Sequence, residues 1–179
     1  MKIYDCFTYF DEDLILDTRL NILNDYVDYF VIVESTFNDN GESRQLKFDI
    51  NKFEKFKKKI KYVVWDKIPE DIEKINENDE EIIRERKFIN NAVRRDNGQR
   101  NYVMKGLENA DKNDLILLSD LDEIPLLNKI DLKKIKHKII IFEQLMCYYK
   151  FNLAIPNYKW FGTRACLKKN LKSPQWLRN

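Results

Sequence analysis

Asp120, Asp122 and Glu123 close the stretch LILLSDLDEIP, Leu115 to Pro125, in which four apolar residues run straight into a D-x-D-E cluster ended by proline. Carboxylates held this close raise one another's pKa unless a cation neutralises them. A hard divalent ion does so well, because it prefers oxygen ligands and keeps positions for water and for substrate phosphates. Such an ion neutralises charge on a departing diphosphate, and helix N-termini and arginines help to hold the same group. The rival reading is a solvated acidic turn that caps a helix near Asn128. A lone D-x-D is common, but the LILLS run before it fixes where the carboxylates lie. The Asp-x-Asp phosphatase pattern fits poorly, since hydroxyl and small residues follow the pair there, not Glu-Ile-Pro.

The elements that must position this cluster are readable from periodicity. Lys2 to Phe7 reads as a short buried strand. Leu16, Leu20, Leu23 and Val27 then make one helical face. Tyr29 to Val33 is a continuous apolar run suited to a strand covered on both faces. Strand, helix, strand normally makes a parallel pair. KFEKFKKKIK reads as a basic helix face and KYVVW as a third strand. After an acidic stretch from Pro69, a helix places Ile82, Ile89 and Val93 on one side. A second helix is expected after Gly98, with Val103, Met104, Leu107 and Ala110 inward. DLILLSD is a fourth strand, Lys138 to Phe151 one long strand or a bent pair, and WFGTRACL a last strand. The order predicts a single α/β domain over residues 1–179, a mostly parallel sheet flanked by helices. Ligands of such sheets collect at the carboxyl ends of the strands. Thr8, Glu34 and Asp120 lie there and are expected to line one crevice.

Composition narrows the function. The chain has 179 residues with a net charge of +2, 32 basic against 30 acidic. That balance argues against a dedicated nucleic-acid binder. Cys6, Cys147 and Cys166 show no C-x-x-C spacing, so they read as buried free thiols rather than as zinc ligands or disulfides. No signal peptide is evident, and no apolar run approaches the roughly 18 residues of a membrane span. The chain therefore reads as soluble and cytoplasmic. The single histidine, His137, reads as a solvated loop residue. The lysine runs read as solvated faces, with attraction to a membrane surface as the alternative.

YDCFTYFDEDLILDTRLNILNDYVDYFVIVES resembles the opening of the family 17 glycosyltransferases. The match falls on Tyr4, Asp5, Cys6, Phe7, Phe10, Glu12, Leu14, Arg19, Leu20, Asn21, Leu23, Val33 and Glu34, with a departure at Asp11, where the family favours Asn. GQRNYVMKGLENADKNDLILLSDLDEIP is similar to the family's second block, and EQLMCYYKFNL and WFGTRACLKKNL to later ones. The family's Gly-Gly-Trp-His-type segment has no counterpart before the closing SPQWLRN, so the expectation is a truncated chain, a short member or one that has lost activity, with a bacterial- or viral-type member expected. The resemblance implies a GT-A fold, inversion at the anomeric carbon, a nucleotide-sugar donor, most simply UDP-N-acetylglucosamine, a carbohydrate or glycoconjugate acceptor and a divalent metal, Mn²⁺ or Mg²⁺. It places Asp122 as the main metal ligand and Asp120 on the ribose or the metal. Glu34 falls where the nucleoside binds, and Arg100 and Asn101 near the donor.

An inverting transfer needs a general base for the acceptor hydroxyl. Glu143, at the end of the KIIIF strand, is one choice, against an edge-strand carboxylate that merely solubilises the sheet. Glu123 is the other, against a loop cap. Arg164 either touches phosphate or pairs with a carboxylate. Glu12 and Arg19 either serve the site or form a helix-surface pair, at a seven-residue spacing of two turns. Tyr148, Tyr149, Tyr158, Trp160 and Phe161 offer either a sugar platform or core packing, and of the adjacent Tyr148 and Tyr149 at most one can face the core. Two other functions remain open at this point: a nucleotide-sugar-binding module without turnover, and a basic-faced polyanion- or membrane-associated protein.

Overall fold

The computed structural model describes residues 1–134, 136–150 and 152–179, and of Lys133 only the backbone. Phe151, the expected end of the fifth strand, lies outside the described residues. Six strands form one sheet: β1 (Ile3–Tyr9), β2 (Tyr29–Ser35), β3 (Ile60–Trp65), β4 (Leu115–Leu118), β5 (Ile140–Cys147) and β6 (Ala154–Leu167). Their order is β3-β2-β1-β4-β6-β5. β1 pairs in parallel with β2 and β4, and β2 with β3, whereas β6 runs antiparallel to both β4 and β5. The expected α/β architecture is thus present, with β6 as the one reversed strand.

The pleat divides the sheet into two cores. Phe7, Phe30, Ile32, Leu115 and Leu117 face the helix α1 (Asp13–Leu23), whose Leu16, Leu20 and Leu23 are fully buried against them. Tyr4, Cys6, Val31, Val33, Ile116 and Leu118 face the other way. That second face is covered by the end of α2 (Glu81–Asn101), the short α3 (Val103–Gly106) and α4 (Pro174–Arg178). Continuous apolar runs in β1, β2 and β4 follow from burial on both faces.

Several expectations shift. KFEKFKKKIK is not an α-helix: residues Ile50–Phe56 form a 3-10 segment that buries Phe53 and Phe56, and β3 begins at Ile60. Gly98 does not separate two helices but lies inside α2, where a Cβ would stand 2.7 Å from Cζ2 of Trp65. Its missing side chain lets the indole pack against the helix. Ile82, Ile89 and Val93 do share one side of α2, and that side faces solvent. The amino-terminal part of α2 is held instead by polar contacts. Asn91 donates to the carbonyl of Glu73 and accepts from its amide, both at 2.8 Å. Neither Tyr148 nor Tyr149 faces the core. Tyr149, with φ of 64°, turns the hairpin after β5, and both rings are exposed, 4.4 Å apart. Cys6 and Cys166 are buried thiols, Cys147 is half-buried, and burial pushes the Cys166 thiol up to about 11. His137 is exposed outside any helix or strand. Among the described residues no helix is long and apolar enough to cross a membrane.

Candidate active site

The D-x-D-E turn follows β4 at the carboxyl ends of the parallel strands, and a buried arginine builds it. Arg19 of α1 is fully buried and forms a two-pronged pair with Asp5 of β1, Nε at 2.8 Å and Nη2 at 2.7 Å. Nη2 also donates to Oγ of Ser119 at 2.6 Å. Nη1 donates to the carbonyls of Asp120, Leu121 and Glu123 at 3.0, 2.9 and 3.3 Å. One guanidinium therefore fixes the path of the whole turn. The expected Glu12–Arg19 surface pair does not form: Glu12 accepts the amides of Phe10 and Asp11. Arg19 sits between Leu16 and Leu20 on the apolar stripe, which is the sequence signal that it points inward.

The opposite side of the turn is held by the WFGTR segment of β6. Trp160 Nε1 donates to Oε1 of Glu123 at 2.7 Å, and the Thr163 hydroxyl donates to its carbonyl at 2.7 Å. Gly162 must lack a side chain, since a Cβ would stand 2.4 Å from Oε1 of Gln144 and 2.8 Å from the Glu123 carboxyl carbon. Arg178 of α4 donates through Nη2 to both Asp120 and Glu123, each at 2.8 Å, and through Nη1 to the Gly162 carbonyl. Glu123 is thus buried and takes three donors, counting the Asp120 amide at 2.9 Å. Its carboxylate holds the turn together.

Asp120 has a guanidinium on each oxygen: Arg100 at 3.2 Å and Arg178 at 2.8 Å. Arg100 is also tied to Asp96 and to Gln175, and Asn101 accepts the Gln175 amide at 2.9 Å. Arg100, expected near the donor, thus reaches Asp120, and the closing helix α4 joins it to Asn101 through Gln175. Arg164 forms no ion pair among the described residues. Its Nη1 donates to the Leu177 carbonyl at 3.3 Å and its buried Nε has no partner. Burial first and Arg178 second hold its guanidinium below the usual arginine range.

Asp122 differs from its neighbours. It is exposed, and its carboxylate has no partner among the described residues. It lines a cleft of about 740 Å³ between the turn and the β5–β6 hairpin, with Glu143 on another wall. Glu143 is half-exposed and pairs with Lys159 at 3.0 Å. Among the described residues no group of three or more histidine, cysteine or acidic side chains is placed to hold a metal. One open carboxylate still fits a hard cation that takes its remaining oxygens from water and phosphate.

Thr8 and Glu34 end neighbouring strands but lie on opposite faces of the sheet, by the pleat. Their side chains therefore do not line one crevice. Glu34 is fully buried and accepts from Arg44, the amides of Lys47 and Phe48, and the Tyr62 hydroxyl, at 2.7 to 3.1 Å. It pins the loop after β2. The Thr8 hydroxyl has no partner among the described residues. Arg19, Trp160, Thr163, Gln175 and Arg178 are the contributors that spacing did not reveal. Of these only Arg19 carries a signal in its own segment.

A mostly parallel, helix-flanked sheet of this kind is consistent with a glycosyltransferase domain. The profile described as Glycosyltransferase family 17 matches residues 1–175, and the chain belongs to that family. It is a glycosyltransferase, and its class implies a donor and an acceptor substrate. No curated protein matches this chain.

Proposed function

We propose that the chain is a metal-dependent, inverting glycosyltransferase that moves a sugar, N-acetylglucosamine from a UDP donor, to a carbohydrate acceptor. The observation that carries this reading is the open Asp122 carboxylate, which shares a cleft with Glu143 while its neighbours are neutralised inside the protein. Asp122 is the ligand for Mn²⁺ or Mg²⁺, and Asp120 contributes at the ribose or the metal. When bound, the cation neutralises charge on the diphosphate. Arg164, whose buried Nε has no hydrogen-bond partner among the described residues, suits the same anionic group. Thr8, and the loop that Glu34 pins, serve the nucleoside end, with Arg100 and Asn101 setting the position of Asp120.

Glu143 is the base. As the acceptor oxygen attacks the anomeric carbon, Glu143 takes its proton. The new glycosidic C–O bond forms, the bond to the β-phosphate oxygen breaks, and the nucleoside diphosphate leaves with that electron pair. Glu123 is the weaker choice, since three donors already occupy its carboxylate.

A second reading, donor binding without turnover, is favoured by Arg178, which already occupies both Asp120 and Glu123. One experiment separates the two. The protein and Asp122→Ala are melted with nucleotides and nucleotide sugars, with and without Mn²⁺, and released nucleoside diphosphate is assayed alongside. At 100 times Kd a ligand stabilises the native state by about 2.7 kcal/mol. Stabilisation by UDP-N-acetylglucosamine that needs Mn²⁺, is lost in Asp122→Ala and is accompanied by acceptor-dependent UDP release supports transfer. The same stabilisation without release selects the binding module. No metal-dependent stabilisation by any nucleotide sinks both.

A further inference from the structure

The cleft that holds Asp122 and Glu143 is far more apolar than a sugar by itself requires. Its walls include Ile124, Leu126, Ile130, Leu145, Met146 and Tyr149. Leu145 is 81% exposed and Tyr149 90% exposed. Large apolar side chains left open around a concave site mark a ligand surface. A volume of about 740 Å³ is that of a pocket for a ligand well beyond one sugar ring. A bare saccharide would need hydrogen-bonding partners over most of its surface, and of these six side chains only Tyr149, through its hydroxyl, offers one.

Charge points to the rest of the ligand. Lys129 and Lys150 also line the cleft, and neither is paired with a carboxylate among the described residues. From Leu126 to Phe161 seven lysines stand against two acids, Asp131 and Glu143. Asp131 already pairs with Lys134, and Glu143 with Lys159. Lys129 and Lys150 border apolar walls, so the complementary ligand combines an anionic group with an apolar one.

We propose that the acceptor is an anionic amphiphile, whose sugar lies at Asp122 and Glu143 while an apolar chain, joined through a phosphate-like group, fills the cleft between the turn and the β5–β6 hairpin. This rests on the transferase reading above and names the substrate class of the same site. Apolar burial drives the chain into the cleft, and Lys129 and Lys150 meet the linking anion at its rim.

Direct binding tests it, with three probes on the full chain: dodecyl phosphate below its micelle concentration, octyl glucoside and inorganic phosphate. Dodecyl phosphate should bind once per chain and tightest, octyl glucoside more weakly, and inorganic phosphate without saturation. Leu145→Asp, at an exposed position that leaves the fold intact, should weaken dodecyl phosphate at least about tenfold. Lys150→Glu should weaken dodecyl phosphate and leave octyl glucoside unchanged. Binding of dodecyl phosphate that neither substitution alters overturns the proposal, and so does inorganic phosphate binding as tightly as the amphiphile. A dimer that Leu145→Asp splits also overturns it, because a second copy then fills the cleft. Nucleotide-sugar stabilisation on the same samples is read separately. If it persists while the amphiphile fails to bind, only the acceptor class falls; if it is absent, the transferase reading falls.

Discussion

Arg19 and Asp122 are opposites at the same turn. Arg19 places its guanidinium on Asp5, Ser119 and three carbonyls with no exposure to water. A buried ion pair is weak evidence of net stability, but removing one partner strands a charge. Arg19→Met should therefore destabilise the fold by about 3–5 kcal/mol, read from the urea midpoint at unchanged slope. A cost under about 1 kcal/mol would mean that Asp5 finds water or a proton easily. The Asp122 carboxylate has no hydrogen-bond or ion-pair partner among the described residues. Asp122→Asn should change ligand-free stability by no more than about 0.5 kcal/mol, while abolishing Mn²⁺-dependent stabilisation by the donor. A variant that unfolds instead would place Asp122 in the scaffold.

At the scale of elements, close approach outweighs propensity. Gly106 ends α3, where a Cβ would stand 2.3 Å from Cγ1 of Val31 in the middle of β2. Helix propensity favours alanine there by about 1 kcal/mol. Overpacking a buried contact costs about 1–3 kcal/mol, so Gly106→Ala should destabilise. Val31→Ala in the same chain should recover part of the loss in a double-mutant cycle. The helix α4 is only five residues long, yet it delivers Arg178 and Gln175 to the site. Pro174 opens it, and the Ser173 hydroxyl accepts from the Trp176 amide at 3.1 Å. Ser173→Ala removes that cap, with an expected loss of about 1 kcal/mol and a midpoint lower by about 2–4 °C in a calorimetric scan.

For the whole molecule, acid is the expected weakness. Arg94 holds the Glu73 carboxyl below its usual range, and Lys87 does the same for Asp79. For Asp13 burial works against ionisation, but hydrogen bonds from Lys52 and Tyr9 outweigh it and lower the value. These pairs tie the loop before α2 to that helix, and α1 to the segment before β3. A carboxyl whose folded value is depressed stabilises the fold above its unfolded value, and that contribution vanishes as pH falls through the folded one. The urea midpoint should hold steady from about pH 5 to 8 and decline below about pH 4. A midpoint unchanged in strong acid would show that these carboxylates are no better off folded than unfolded.

Local pattern by itself determined the strands, the buried face of α1, the α/β class and the position of the D-x-D-E turn, because each depends on residues near one another in the chain. The run LILLSDLDEIP shows where the carboxylates emerge, and the spaced blocks around it carry the family. Tertiary structure decided which carboxylate is open. Asp120, Asp122 and Glu123 look equivalent in sequence, yet Arg100 and Arg178 take the first, Trp160 and Arg178 the third, and of the two that line the cleft only Asp122 keeps a carboxylate without a partner among the described residues. Those partners come from 20 to 58 residues away, and nothing in the local pattern sets their distance. The same holds for Gly98, read as a break until Trp65 is seen against it, and for Ile82, Ile89 and Val93. A helical stripe records which residues share a side, but only packing determines whether anything covers that side.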